Sequence, residues 1–368
     1  MRNQIKKEPL STNKKTIDTK TKIEITNKHF PYSKFNFKLI FADTEKILKN
    51  IDNNSLDLIL TSPPYNIGKD YEKENALSIS EYFAWQKEII TLCHKKLKES
   101  GSICWQVGYN NQNGTKENRE YQPLEYEFHP IFKELGFIMK NRIIWAFGLG
   151  SQNRHNFSSR HEVIMWYVKS NKYTFNLENI RVLPKYPGKQ SSLEFKKDGS
   201  RNEKYHQVSS TKGGKNPEDV WVDSMRSNFW EIPNVKSNHP EKVTEMKEVW
   251  KNKGTYFTKE EKAVPVHPCQ FPTALTTRLI LALTNEEDIV LDPFCGLGTT
   301  GVSCALTNRK FIGIDKDKKY LDIAKTRIDE ALNSNHSHIR EDKPVADHKK
   351  NYLWKDFDFE KWELRKKK

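Results

Sequence analysis

The chain has 368 residues and carries 62 Lys and Arg against 48 Asp and Glu, a net charge of +14. That length holds one large or two ordinary domains with a sizeable core, and the positive excess favours a polyanionic partner. No apolar run approaches the roughly 18 residues of a membrane helix, and the basic start MRNQIKKEPLSTNKK lacks the apolar stretch of a secretion signal.

Residues 1–36 are polar and Lys-rich without apolar periodicity and read as a flexible basic arm. From Lys38 the texture changes: KLIFADTEKILKNI and SLDLILTSPP predict a short strand, a helix and a buried strand. ISEYFAWQKEIITLCHKKLKESG has helical apolar spacing and ends on Gly101, which predicts a helix with a glycine C-terminal cap. SICWQVG, FIMKNRIIWAFG and HEVIMWYVKS read as strands with the helix FHPIFKELG among them, an alternation that predicts an α/β sheet. Residues 171–262 lack sustained periodicity and are too long for an ordinary loop; ordered islands are expected at YTFNL, around EDVWVD and at FWEIPNV. Regular texture returns with the helix FPTALTTRLILALTN, the strand DIVLDPF and a glycine turn into a helix at CGLGTTGVSCALTN. The strand RKFIGID and the helix DKKYLDIAKTRIDEALNS follow, and the tail from residue 333 is mixed and charged. The expected organisation is one α/β domain, residues 37–170 and 263–332, interrupted by an insert at 171–262.

DPFCGLGTT, Asp292 to Thr300, lies where a predicted strand becomes a helix. Gly296 and Gly298 let the backbone turn tightly and approach a ligand, and the helix start offers N–H groups and positive potential. FIGID then ends a second strand in Asp315, whose carboxylate is placed to accept from ribose hydroxyls. The alternative for Asp315 is an acidic N-cap of the following helix. Phe294, in the ligand loop, reads as an adenine or methionine contact. The five cysteines, Cys93, Cys104, Cys269, Cys295 and Cys304, form no CxxC pair, which fits a reducing cytoplasm and gives no zinc site. Cys295 reads as a small filler, with no basic partner near it in sequence. HPCQFP, residues 267–272, leads into a helix that can close a pocket beside the glycine loop; its alternative is a simple turn with Thr273 as N-cap.

TSPPY sets a hydroxyl, two prolines and a ring at a strand end. Ser62 Oγ and the Pro63 carbonyl can accept hydrogen bonds from an exocyclic amine, and Tyr65 offers a face on which a planar base can stack. Pro63 and Pro64 remove conformational freedom, so the acceptors are held before a substrate arrives.

Taken together, DPFCGLGTT, FIGID and TSPPY resemble the S-adenosylmethionine-dependent DNA amino-methyltransferases, which methylate cytosine N4 or adenine N6. TSPPY matches the family's catalytic motif and DPFCGLGTT its methionine-binding motif, while HPCQFP is similar to the family's HPxQKP segment, departing at Phe271 where Lys is frequent. FADTEKIL, with Asp43, resembles the motif that contacts the cofactor adenine; RIIWAFG and RHEVIMWY resemble strands lining the base pocket. Catalytic motif, insert, then cofactor motif is the order of the β class. The resemblance covers residues 37–170 and 263–330. It implies a Rossmann-like, mostly parallel sheet flanked by helices, with an inserted target recognition region. It further implies S-adenosylmethionine held by Asp43, Phe271, Asp292, Pro293, Phe294, Gly296, Gly298, Thr299 and Asp315. Ser62, Pro63, Pro64 and Tyr65 are then the catalytic set. Pro268-Cys269-Gln270 imitates the nucleophile motif of cytosine C5 methyltransferases but precedes the cofactor motif, so a C5 mechanism does not follow.

The implied partner is double-stranded DNA of specific sequence, with a cognate restriction endonuclease as functional partner, a homodimer as the assembly common in the class, and no membrane. Ser at the head of the four-residue motif is typical of cytosine N4 enzymes in the resembled family; adenine N6 is the alternative. Lys69 and Asp70 read as phosphate contacts or as a solvated pair. Lys and Arg of the insert can reach phosphates, and its Asn, Gln and Arg can read base edges. Trp221 and Trp230 read as a small local core. An RNA or protein-amide methyltransferase and an idle nucleic-acid binder are the rival readings.

Overall fold

The computed structural model describes residues 15–18, 23–29, 36–66, 77–110, 122–146, 157, 159–181, 216, 220–222, 235, 241–252, 257–267 and 269–333. In chain order the elements are β1 (Lys15–Asp18), β2 (Ile23–His29), β3 (Asn36–Phe41), α1 (Thr44–Asn50), β4 (Leu56–Thr61), α2 (Ile79–Lys96) and β5 (Leu97–Val107). They continue with β6 (Tyr109–Asn110), β7 (Gln122–Pro123), α3 (Leu124–Glu134), β8 (Ile138–Ala146), β9 (His161–Val168) and β10 (Val220–Val222). The last are β11 (Thr244–Asn252), β12 (Phe257–Pro265), α4 (Thr273–Leu283), β13 (Ile289–Asp292), α5 (Thr299–Leu306), β14 (Lys310–Asp315) and α6 (Lys318–Leu332).

The main sheet runs in the order β1-β2-β3-β14-β13-β4-β5-β9-β8-β10. Its centre, β3-β14-β13-β4-β5, is parallel throughout. β9 and β8 join antiparallel, and β10 pairs parallel to β8. All six residues of β4 are buried, as a strand covered by helices on both faces requires. Leu58 and Leu60 face one core, with Leu275 and Leu279 of α4 and Ile328 of α6. Ile59 between them faces the other, with Leu48 of α1, Ile90 of α2 and Phe132 of α3. This is a Rossmann-like α/β sandwich. From β4 the chain proceeds to β5 on one side, and from β13 to β14 on the other. The border between β4 and β13 is therefore the point where strand order reverses, and a crevice opens there at the strand C-termini.

Several details differ from the sequence-based expectations. Gly101 caps no helix: α2 ends at Lys96, and Leu97 starts β5 directly, with Gly101 inside that strand. A Cβ on Gly101 would lie 2.7 Å from Leu97 Cδ1, so close packing explains the glycine. The N-terminal stretch, expected as a loose arm, contributes β1 and β2, and β2 pairs antiparallel with β3. The alternation of Ile23 and Ile25 with polar residues is the local cause, and the pairing covers what would be an open sheet edge. Residues 171–181 pack against both halves of the domain: Asn176 N–H donates to Ala282 O of α4 at 2.7 Å, and the Phe175 ring stacks on Trp166 of β9. Within the insert, β10 appears at the expected EDVWVD island, whereas FWEIPNV lies outside the described residues except for Val235. The hairpin β11–β12 was not expected at all. Among the described residues no helix is long and apolar enough to cross a membrane.

Candidate active site

β4 ends in a loop pinned from several sides. The Pro64 carbonyl accepts from Tyr82 Oη of α2 at 2.7 Å, and the Asn66 carbonyl accepts from Asn110 Nδ2 at 3.1 Å. Asn66 itself adopts φ +54°, a left-handed turn its short polar side chain tolerates. Ser62 Oγ is half-buried and donates to Tyr65 Oη at 3.2 Å, and Tyr65 Oη donates to Gln106 Oε1 at 2.6 Å. Tyr65 is only 6% exposed, so the stacking face expected of it is largely covered here. Its ring edge lies against Gly108, where a Cβ would come within 3.1 Å of Cε2.

The neighbouring strand β13 ends in the glycine loop. Asp292 is buried there and accepts from Thr61 Oγ1 at 2.7 Å, Phe294 N–H at 3.2 Å and Thr300 Oγ1 at 2.7 Å. Its carboxylate thus ties the TSPPY strand to the start of α5. Gly296 and Gly298 both take positive φ, and Gly298 meets α6 so closely that a Cβ would lie 2.6 Å from Ala324 Cβ. Arg327 of α6 donates to the Leu297 carbonyl and to Thr299 Oγ1, bracing the loop from beneath. The Pro293 carbonyl accepts from Thr44 Oγ1 of α1.

Asp315, at the end of β14, accepts from Gly296 N–H at 2.7 Å and from Asp317 N–H at 2.8 Å. The N-cap of α6 is Asp317, which accepts from Lys319 and Tyr320 N–H, so the capping alternative for Asp315 falls away. Thr273 is likewise not a cap. Pro272 holds that position, and buried Glu241, just ahead of β11 in the insert, accepts from Thr273 N–H at 2.8 Å and Oγ1 at 2.6 Å.

These groups line one cleft of about 930 Å³. Ser62, Pro63, Pro64 and Tyr65 stand at one part of its wall. Asp292, Pro293, Phe294, Gly296, Thr299 and Asp315 form another, with Asp43 and Phe271 also bordering it. Of the residues expected at the site, Gly298 stays behind the wall, shaping the loop against α6. Asp43 is half-exposed and pairs with Lys46 at 2.6 Å. Lys69, Asp70, Trp230 and the insert's basic runs lie outside the described residues, as does the side chain of Trp221.

Burial pushes the Asp292 carboxyl up to about 6, against the hydrogen bonds from Thr61, Thr300 and Phe294. Burial likewise lifts Asp315 to about 6; the Asp317 and Gly296 N–H groups oppose it, and the charges of Asp317 and Asp292 add to it. Burial pushes His267 down to about 4, with Asp317 pulling the other way, so its imidazole is neutral at physiological pH.

The HPCQFP segment lies beside the glycine loop as expected, though sequence reasoning assigns His267 no role of its own and misses Trp85 and Tyr82. His267 accepts from Cys269 N–H at Nδ1, 3.1 Å away, which leaves the ring proton on Nε2 near Gly296, and its ring packs edge-on against Tyr320. Trp85 and Tyr82 reach the cleft from α2, and the Trp85 ring lies 5.7 Å from Phe294. Aromatic residues on a helix carry no local mark of such a role; only the HPCQFP segment could have flagged His267.

The model of the N6/N4 DNA methylases, described as DNA methylase, matches residues 56–326. The chain is 39% identical over 296 residues to the type II methyltransferase M.BglII of Bacillus subtilis, covering 80% of this chain and 69% of that protein. It is 31% identical over 296 residues to the DNA adenine methyltransferase YhdJ of Escherichia coli (strain K12), covering 80% and 83%. Among solved structures it resembles the cytosine-N4-specific PvuII DNA methyltransferase, with a TM-score of 0.53 at 18% identity, covering 83% of this chain and 95% of that one. That last likeness speaks to the fold. With TSPPY and the glycine loop on adjacent strand ends, and a family match spanning most of its length, the chain belongs to the N6/N4 DNA methylases.

Proposed function

We propose that this DNA methyltransferase places its methyl group on cytosine N4 within a specific duplex sequence, as the modification partner of a restriction endonuclease. The methyl donor of the family is S-adenosylmethionine, and the cleft fits it chemically. The Trp85 and Phe294 rings, packed edge to face, line the cleft and can offer an adenine an apolar contact, the Asp315 carboxylate can accept from ribose hydroxyls, and the N–H groups at the start of α5 can face a carboxylate. Bound there, it supplies an electrophilic methyl group on sulfur.

The residues of TSPPY act on the other reactant. An exocyclic amine is a poor nucleophile because its lone pair is conjugated into the ring. Ser62 Oγ and the Pro63 carbonyl accept from its two N–H groups and favour the pyramidal geometry that frees the lone pair. The rest of the rate comes from proximity and orientation. The target nucleotide must leave the duplex to reach this cleft, and a base that stacks on Tyr65 must first open the packing around that ring. Residues 171–262 are assigned the reading of sequence.

The observation that carries the cytosine reading is Ser62 itself: a neutral hydroxyl heads the motif where a charged or amide side chain would suit adenine. Adenine N6 is the second reading, favoured by the likeness to YhdJ. Nucleoside analysis of DNA methylated by the purified protein separates them. N4-methylcytosine is the expected product, and N6-methyladenine in its place overturns the cytosine assignment.

A further inference from the structure

Behind Ser62 lies a polar chain that the reaction as described does not use. Ser62 Oγ donates to Tyr65 Oη at 3.2 Å, Tyr65 Oη to Gln106 Oε1 at 2.6 Å, and Gln106 Nε2 to Glu162 Oε2. Gln106 is 1% exposed in β5 and pairs with Ile164 of β9, so Glu162, two residues along β9, is its diagonal neighbour on the same face. The register of two antiparallel strands therefore sets the far half of the chain, and the TSPPY turn sets the near half.

The direction of every bond in this chain is fixed from its far end. Glu162 Oε2 receives the amide N–H of Gln106, the role a carboxylate oxygen fills as an acceptor. That orients the Gln106 carbonyl toward Tyr65, which must then donate its single proton. A phenol oxygen that has donated can only accept, so the Ser62 proton points to Tyr65. Ser62 is left presenting lone pairs, and not a proton, to whatever amine enters the cleft. With the opposite polarity the Ser62 proton would bond the amine lone pair and oppose attack.

We propose that Glu162 and Gln106 are positioning residues that polarise Tyr65 and Ser62, so that Ser62 can act only as an acceptor for the target amine. The proposal rests on the reading of Ser62 as the amine acceptor. Neither residue touches the substrate; each acts through Tyr65.

Glu162→Gln tests it, because a glutamine keeps the volume and a hydrogen bond but no longer dictates which way Gln106 faces. Single-turnover methyl transfer to DNA is expected to slow about tenfold, with KM for DNA and for S-adenosylmethionine unchanged. Tyr65→Phe severs the chain in the middle, and Glu162→Gln added to it is expected to slow the reaction no further. Gln106→Met, which cuts the chain one residue nearer the cleft, must reproduce the Glu162→Gln effect and keeps the test open should Glu162→Gln not fold. A Glu162→Gln rate within about twofold of the parent, or a loss that multiplies with that of Tyr65→Phe, overturns the relay. Ser62→Ala run alongside separates the two claims: full activity in that variant sinks the acceptor reading itself, whereas an inactive Ser62→Ala beside a fully active Glu162→Gln sinks only the relay.

Discussion

Thr61 Oγ1 donates to Asp292 Oδ1 at 2.7 Å, joining side chains 231 positions apart in sequence. The bond sits between the last residue of β4 and the last of β13, immediately before Ser62 on one side and the glycine loop on the other. The two halves of the site are thus held in register by one buried hydroxyl and one buried carboxylate.

Replacing Thr61 with Val keeps the shape and removes that donor. A buried carboxylate deprived of one hydrogen bond costs about 1–3 kcal/mol, so the thermal midpoint should fall by a few degrees. Because the Asp292 carboxyl sits at about 6, it is ionised at pH 8 and largely neutral at pH 5. The loss measured by calorimetry should therefore be larger at pH 8. An equal loss at both pH values would separate the effect from Asp292.

Asp292 and Asp315 hold their protons more tightly when folded than at the ordinary value of 3.8. Their contribution to stability therefore declines as pH rises from 3.8 to about 6 and is level above that. Binding runs the other way. The ribose contact proposed for Asp315 calls for a carboxylate, so S-adenosylmethionine should bind more weakly as pH drops through about 6. Titration calorimetry on Asp315→Asn should show weak binding at every pH and a flattened profile. Parent-like affinity in that variant would remove Asp315 from the cofactor site.

Gly298→Ala should destabilise the fold for two reasons. Its φ of +73° costs a side chain about 1–2 kcal/mol. The new Cβ would also lie 2.6 Å from that of Ala324. Pairing it with Ala324→Gly removes the 2.6 Å contact but leaves the Ala324 Cα at 3.0 Å, keeps the backbone strain and adds about 1 kcal/mol for a glycine inside α6, so the double variant should recover little of the lost thermal midpoint. Full recovery would contradict a cost from the left-handed backbone at this position.

With a net charge of +14, DNA binding should show counterion release. The logarithm of affinity, measured by fluorescence anisotropy, should fall linearly with the logarithm of salt concentration. A flat dependence would argue that phosphate contacts contribute little.

The parts of this site legible in the sequence are those written locally. DPFCGLGTT needs left-handed backbone at Gly296 and Gly298, and FIGID ends where its carboxylate meets Gly296 N–H, so the motif and its geometry coincide. The Tyr65–Gln106–Glu162 chain is different: its members lie 41 and 56 positions apart and meet only through the register of β5 and β9. Likewise the hairpin β11–β12 escaped notice because Lys247, Glu248, Lys259 and Glu261 are exposed in consecutive and alternate positions alike, leaving no two-residue apolar period. Gly101 misled because a helix that runs straight into a strand leaves no loop, and the first glycine afterwards looked like the stop.

The central claim is that Ser62 and the Pro63 carbonyl receive the target amine, with its base against Tyr65, while the glycine loop holds the methyl donor. Single-turnover transfer of tritiated methyl groups to DNA by the Ser62→Ala/Tyr65→Ala double variant tests it most directly, with S-adenosylmethionine binding measured on the same preparation. A loss of at least about 100-fold in rate with cofactor binding retained is the predicted result. Full methyl transfer by that variant would contradict the account.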